Sequence, residues 1–188
     1  MSRTDALADP IYVGQGRYHV GSAPDVVLTA VLGSCVAACI YDPQARIGGM
    51  NHILLPDHAH AGGEAARNTQ GVHLMELLIN ALMRSGAARD RLVAKLFGGA
   101  RVLAGVSDIG ARNARFAEHF LDYEGIPIAV RELGGSRGRR IQFWPATGRV
   151  RRAMLRDRSL LSEPPVVPSP PCAPAGDVEL FEPVGASS

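Results

Sequence analysis

Residues 26–56 of the chain read VVLTAVLGSCVAACIYDPQARIGGMNHILLP. The apolar, β-branched run at 26–32 predicts a buried strand. Gly33 and Ser34 interrupt this run, and residues 35–41 resume strand character. The segment therefore predicts two consecutive strands, with a break immediately before a cysteine.

A turn after the second of these strands brings two chemically active side chains together. Asp42 and Pro43 predict the turn, because proline presets the backbone for the second turn position and aspartate can bond the backbone two residues on. The chain then returns along residues 46–55, which completes a β-hairpin. A loop of two or four residues centred just after Pro43 places Cys35 directly opposite His52, whereas a three-residue loop shifts the register by one.

The cysteine and the histidine predict nucleophilic catalysis. A thiolate is the nucleophilic form of cysteine, and a neighbouring imidazolium lowers the thiol pKa below its free value of about 8.5. Such a pair can attack an acyl carbon. The alternative is that Cys35 is a small buried hydrophobic residue and His52 a hydrogen-bonded core residue. Glycines favour the catalytic interpretation, because Gly33 lets the chain turn sharply before Cys35 and Gly48-Gly49 reduces the bulk of the returning strand near the site.

The same segments resemble the CheD family, the chemoreceptor glutamine deamidases of bacterial chemotaxis. The resemblance is carried in order by TAVLGSCVAACIYDP (29–43), GGMNHILLP (48–56), LMELLINAL (74–82), AKLFGGA (94–100), DIGARN (108–113), GIP (125–127), LGGSRGRR (133–140) and ATGRV (146–150). It implies a catalytic set of one cysteine, one histidine and one threonine. The matching positions here are Cys35, His52 and Thr29.

The resemblance also implies a reaction. Cys35 attacks a receptor glutamine to give a thioester, His52 transfers the protons, and Thr29 orients His52. The substrate is a glutamine, or a methyl-glutamate, on a methyl-accepting chemotaxis receptor, and no cofactor is expected. The alternative is a regulatory binding module for a CheC-type chemotaxis phosphatase, a role that the family also has.

Composition agrees with a cytoplasmic enzyme. The chain has 188 residues, of which 46% are hydrophobic and 20% charged, so it can bury one core. A net charge of +2 does not indicate nucleic-acid binding. Three cysteines without regular spacing do not form a disulfide framework. Residues 1–10 contain no apolar core of signal-peptide length, and no apolar run reaches about 18 residues, so neither a signal peptide nor direct membrane insertion is expected.

The remaining pattern predicts an α+β domain over residues 1–158, with mixed or antiparallel sheets in a sandwich-like core flanked by two or three helices and a cysteine-hydrolase-like fold. Gly98 and Gly99 indicate a tight strand exit rather than an anion site. The further predicted elements are a strand at 11–20, a helix at 65–85, a strand at 91–97, a helix capped by Asp108 and ended by Gly125, and strands at 126–132, 141–144 and 149–155.

Two other regions invite functional interpretations. His58 and His60 suggest a metal site with His52, but a flexible loop lacks the fixed ligand set that zinc requires, so no metal is expected. Residues 159–188 form a proline-rich tail that contains Cys172, and this composition predicts disorder.

The basic loop is either a docking edge for an acidic helical partner, through Arg137, Arg139 and Arg140, or a solvated hairpin tip. A redox pair of Cys35 with Cys39 is disfavoured, because residues four apart on a strand are too distant to bridge.

Overall fold

The structure is a computed structural model that describes residues 9–56, 63–101 and 108–156, with the backbone alone for 63–67. Within these ranges the elements are β1 (Ile11–Tyr12), β2 (Tyr18–Gly21), β3 (Leu28–Leu32), β4 (Val36–Asp42), β5 (Ile47–Ile53), α1 (Gly63–Arg84), a 3-10 turn (Arg89–Arg91), β6 (Val93–Gly98), α2 (Ile109–Tyr123), β7 (Ile128–Leu133), β8 (Arg139–Trp144) and β9 (Arg149–Met154). The predicted α+β class with a sandwich-like core is confirmed.

The described elements form three layers. A four-stranded sheet has the order β1-β3-β8-β9, and a five-stranded sheet has the order β2-β5-β4-β6-β7. One core lies between the sheets and includes Leu28, Ala30 and Phe143 from the first sheet, with Cys39 and Met50 from the second. A second core lies between the five-stranded sheet and the two helices. The five-stranded sheet is therefore covered on both faces, as its nearly continuous apolar strands require.

The strand predicted at residues 11–20 is wrong, because the structure has two strands there. β1 pairs in parallel with β3 of one sheet, whereas β2 pairs antiparallel with β5 of the other. The chain crosses between the sheets at residues 13–17, where Gly16 adopts a φ of 68°. Glycine is favoured at such a left-handed backbone conformation. The alternating pattern continues across the crossing and so conceals it.

The predicted hairpin of β4 and β5 is confirmed, with a different loop. Asp42 pairs with Ile47, so the loop has four residues and is centred after Gln44 rather than after Pro43. The Asp42 carboxylate accepts hydrogen bonds from the backbone N–H groups of Gln44 (2.9 Å) and Ala45 (3.0 Å), as the sequence predicts. The aspartate therefore fixes the turn, but the loop closes one position later along the chain.

Asp42 is a buried anchor as well as a turn residue. Its carboxylate also accepts from the Ala88 N–H (2.9 Å) and forms an ion pair with Arg91, with a closest approach of 2.8 Å. Burial alone would raise the pKa of Asp42. The hydrogen bonds from Arg91 and from the backbone N–H groups of Ala45, Ala88 and Gln44 outweigh burial and hold this pKa well below its usual range.

Both predicted helices are confirmed. α1 spans Gly63–Arg84, and α2 spans Ile109–Tyr123. Asp108 caps α2 by accepting a hydrogen bond from Ala111 N–H at 3.0 Å, as predicted. No helix in the described part of the chain is long and apolar enough to cross a membrane. The predictions for His58, His60, Cys172 and the tail at 159–188 lie outside the described residues.

Candidate active site

Residues 33–35, here called the Cys35 segment, are tightly held immediately before β4. Cys35 is the last of them, and 5% of its surface is exposed. Three successive carbonyl oxygens of this segment accept hydrogen bonds from the β6–α2 region. The bonds are Ala100 N–H to Gly33 O (2.8 Å), Asn113 Nδ2–H to Ser34 O (2.8 Å) and Gly99 N–H to Cys35 O (2.7 Å). The backbone that carries the predicted nucleophile is thus fixed at three consecutive peptides.

Gly98 makes this arrangement possible. Its φ is 113°, and a Cβ atom built there would lie 2.1 Å from the carbonyl oxygen of Cys35. Any side chain would displace the cysteine backbone or the end of β6. The carbonyl of Gly98 accepts a hydrogen bond from Gly134 N–H at 2.9 Å, which ties the same point to the loop after β7. The prediction of a tight strand exit at Gly98 is confirmed.

His52 lies on β5 opposite Ala37, so the predicted direct pairing with Cys35 is wrong. The later centre of the loop moves the register by two residues. Because strand side chains alternate with a period of two, this shift keeps His52 on the same face, and Cys35 and Ala37 share the core between the sheets. Extending the register makes Cys35 a diagonal neighbour of His52. Diagonal neighbours are about 7–8 Å apart, which long side chains can bridge.

The imidazole of His52 is fully buried and held through its Nδ1 atom, which lies 3.0 Å from the carbonyl oxygen of Val13. A carbonyl only accepts hydrogen bonds, so this contact places the proton of the neutral ring on Nδ1. Nε2 is then the basic nitrogen. The backbone of His52 also bonds the β1–β2 connection, from Gly16 N–H to His52 O (2.9 Å) and from His52 N–H to Arg17 O (3.0 Å).

Thr29 reaches His52 through its backbone. It alternates with Leu28 and Ala30, which point into the core between the sheets, so its side chain lies on the outer face of the four-stranded sheet. Its hydroxyl donates to Ile141 O at 2.8 Å. The carbonyl of Thr29 accepts from Val13 N–H at 2.8 Å, and Val13 in turn contacts His52. A catalytic role for Thr29 stays a prediction, with an indirect route to the histidine.

Asn113 is a site residue that the sequence interpretation did not single out. It is fully buried on α2, where its Nδ2 donates to Ser34 O (2.8 Å) and its Oδ1 accepts from Leu55 N–H (3.1 Å). A signal was available, because this asparagine falls within the otherwise apolar stripe of α2. Buried amides need partners for both their donor and their acceptor atoms.

Neither interpretation of the basic loop, docking edge or solvated hairpin tip, holds for Arg139, which is only 3% exposed. Its guanidinium donates to the carbonyl oxygens of Glu132 (2.6 Å) and Gly134, and so it fixes the loop after β7. Arg137 and Arg140 are exposed. A buried arginine bound to carbonyl groups has a structural role, since its charge is not presented to a partner.

Cys39 lies on β4 in the same core as Cys35 and is more deeply buried. Cys39 is fully buried in the core, and burial raises the pKa of its thiol, with Lys95 partly opposing the shift. Neither of these two cysteines forms a disulfide bond in the described part of the chain. A buried thiol of raised pKa is a poor nucleophile at neutral pH.

Known proteins similar to this chain identify its family. A family model described as CheD chemotactic sensory transduction matches residues 54–153. A relative from Caulobacter sp. (strain K31), named probable chemoreceptor glutamine deamidase CheD, is 51% identical over 175 residues, which cover 91% of this chain and 92% of the relative. The chain belongs to the CheD family. The family resemblance inferred from the sequence is confirmed.

A second relative covers the chain as fully. It comes from Agrobacterium fabrum (strain C58 / ATCC 33970), has the same name and is 50% identical over 182 residues, 94% of this chain and 99% of the relative. The crystal structure of the hypothetical protein YfiH from Bacillus licheniformis has a TM-score of 0.40 and 17% identity, and the match covers 62% of this chain and 51% of that one. The matched range of the CheD family model begins after Thr29, Cys35 and His52.

Proposed function

We propose that this CheD-family protein converts glutamine side chains of chemoreceptors to glutamate, with Cys35 as nucleophile and His52 as the proton-transfer group. Three relatives from different genera, about half identical in sequence, carry the name of a probable chemoreceptor glutamine deamidase. The observation that carries the mechanism is the contact between His52 Nδ1 and Val13 O, because it leaves Nε2 as the basic nitrogen on the face that Cys35 shares.

The reaction proceeds in two halves. Nε2 of His52 accepts the thiol proton, and Cys35 Sγ attacks the side-chain carbonyl carbon of the glutamine. The tetrahedral intermediate collapses, the imidazolium gives its proton to the amide nitrogen, and the C–N bond breaks to release ammonia. A thioester joins the substrate to Cys35. His52 then takes a proton from water, whose oxygen attacks the thioester carbon. This second tetrahedral intermediate collapses, its C–S bond breaks, and the imidazolium returns the proton to the sulfur, which leaves glutamate and the free thiol of Cys35.

Burial of the pair favours a long substrate side chain. Cys35 is 5% exposed and His52 is fully buried, so the reacting amide must be carried on a side chain long enough to reach the thiol. Glutamine carries its amide at the end of two methylene groups, which give it this reach. A glutamate methyl ester has the same length and the same electrophilic carbon. We therefore include ester hydrolysis as a second reaction of this site, with methanol in place of ammonia.

The test is incubation of the protein with the cytoplasmic fragment of a chemoreceptor, followed by peptide mass spectrometry. We expect specific glutamines to become glutamates with wild type, no conversion with Cys35→Ala, and near wild-type conversion with Cys39→Ala, the matched control four residues further along the chain. Conversion by folded Cys35→Ala would refute the assignment. The alternative, a binding module for a CheC-type phosphatase, requires no thiol. It would be favoured if wild type left every glutamine unchanged.

A further inference from the structure

A single side chain links the segment that carries Cys35 to the segment that directly follows β5, the strand that carries His52. The amide of Asn113 donates to Ser34 O, one residue before Cys35. The same amide accepts from the N–H of Leu55, three residues after His52. Both partners are backbone groups, so the link constrains the main chain on each side rather than another mobile side chain.

The bond to Ser34 acts directly on the orientation of the cysteine. The carbonyl of Ser34 and the N–H of Cys35 belong to one planar peptide unit. A hydrogen bond that fixes the direction of the Ser34 carbonyl therefore fixes the plane of this peptide. The Cα of Cys35 lies in that plane, so the bond also limits the directions in which Sγ can point. Without Asn113, the bonds to Gly33 O and Cys35 O still hold the neighbouring peptides. The peptide between them would lose its partner and rotate more freely.

The fold brings α2 close enough for a short side chain to make these contacts. Gly110 lies one helical turn before Asn113, and a Cβ atom at Gly110 would be 2.5 Å from Gly99 O and 2.6 Å from Ala100 O. This close approach sets α2 against the exit of β6, which itself bonds the Cys35 segment. An asparagine suits the gap because its amide offers one donor group and one acceptor group.

We propose that Asn113 is a positioning residue, which holds Cys35 and His52 in reactive alignment by joining the two backbones that carry them. This inference rests on the proposed function for the identity of the reacting pair. It assigns Asn113 no contact with the substrate. Its removal is expected to lower the reactivity of Cys35 and kcat, and to leave KM nearly unchanged, since uniform substrate binding does not involve this residue.

The test compares Asn113→Ala and Asn113→Asp with Asn51→Ala. Asn51 is the matched control: it is fully buried on β5, accepts from Ala38 N–H (3.2 Å) and donates to Met75 Sδ (3.1 Å), with no bond to the Cys35 segment. The Asn113→Asp variant keeps an acceptor for Leu55 N–H but presents an oxygen to Ser34 O. The measurements are the melting temperature, the rate of Cys35 alkylation by iodoacetamide at neutral pH, and kcat and KM for receptor glutamines.

We expect both alanine variants to lose similar thermal stability. Only in the Asn113 variants should iodoacetamide alkylate Cys35 about tenfold more slowly, and only in these variants should kcat fall to a similar degree. A tenfold effect is modest for a misplaced reacting group. Wild-type alkylation in the Asn113→Asp variant, or equal slowing in the Asn51→Ala variant, would overturn the proposal. Alkylation needs no receptor, so this result is obtained even if the wild-type protein deamidates nothing, and failure of the proposed function is thereby distinguished from failure of this inference.

Discussion

His52 is oriented by Val13, whose carbonyl oxygen lies 3.0 Å from Nδ1 of the imidazole. A neutral backbone carbonyl fixes the tautomer but stabilises an imidazolium less than a carboxylate would. The histidine is thus held as a base that readily returns its proton. This suits a reaction in which the same ring must protonate the leaving amide nitrogen and later deprotonate water.

The indirect position of Thr29 leads to the first prediction. Thr29→Val removes the hydroxyl that donates to Ile141 O but keeps the side-chain shape and the backbone bond to Val13. We expect kcat/KM to fall by less than about tenfold, against about a hundredfold or more for His52→Gln, which loses the proton-transfer group. Thr147→Val, at an exposed turn, is the control. Equal losses in folded Thr29→Val and His52→Gln would mean that the threonine hydroxyl itself takes part.

The close approach at Gly98 gives the second prediction. Gly98→Ala should be strongly destabilising or inactive, because the new methyl group would collide with the carbonyl of Cys35. Gly125→Ala is the control, since Gly125 also has a positive φ (69°) but no atom within 4 Å of the position that a Cβ would occupy. Gly125→Ala should lower the free energy of unfolding by about 1–2 kcal/mol, because alanine is strained in a left-handed backbone conformation. Similar melting temperatures and activities for the two variants would contradict the account of the β6 exit.

Asp42 gives the third prediction, which depends on pH. Its folded-state pKa lies below its unfolded value, so the stabilisation is fully present above about pH 4 and is lost as the pH falls towards the folded-state pKa. Asp42→Asn should lower the free energy of unfolding at pH 7 by about 3 kcal/mol, as expected for breaking a buried ion pair. The difference from wild type should shrink below pH 4, because the wild-type carboxylate is then increasingly protonated. Chemical denaturation of both proteins at a series of pH values measures this difference in unfolding free energy.

The control for this experiment is Glu124→Gln, which breaks the ion pair of Glu124 with the exposed Arg89. Exposed ion pairs contribute about 0–1 kcal/mol, so the change in unfolding free energy should be small at every pH. If Asp42→Asn were as mild as Glu124→Gln, or if its cost did not depend on pH, the carboxylate would not be the anchor of the turn.

The sequence predicted the strands and helices of the site better than their register. Asp42 and Pro43 identified the turn, but neither residue sets the length of the loop. The loop has four residues, because Asp42 pairs with Ile47. The predicted pairing register was therefore wrong by two residues. The predicted sheet face of His52 was still right, because strand side chains alternate with a period of two. An error of one would have moved the imidazole to the helix-covered face.

Contacts between distant elements could not be read from local patterns. The amide of Asn113 looks like an ordinary polar helix residue until α2 is seen to pack against the Cys35 segment. Arg139 stands in a run of basic residues that resembles a solvated loop, yet its guanidinium is buried on two carbonyl groups. Such roles depend on which segments meet in the folded chain, and pattern-based rules contain no information on that meeting.

The central claim is that Cys35 and His52 act as a coupled pair. The most direct test measures the rate at which iodoacetamide alkylates Cys35 as a function of pH. Peptide mapping separates the label on Cys35 from any label on Cys39 or Cys172. We predict that wild-type Cys35 is alkylated readily near pH 7, and that His52→Gln moves the midpoint of the curve up towards that of a free thiol, about 8.5. Superimposable curves for wild type and His52→Gln would contradict the account.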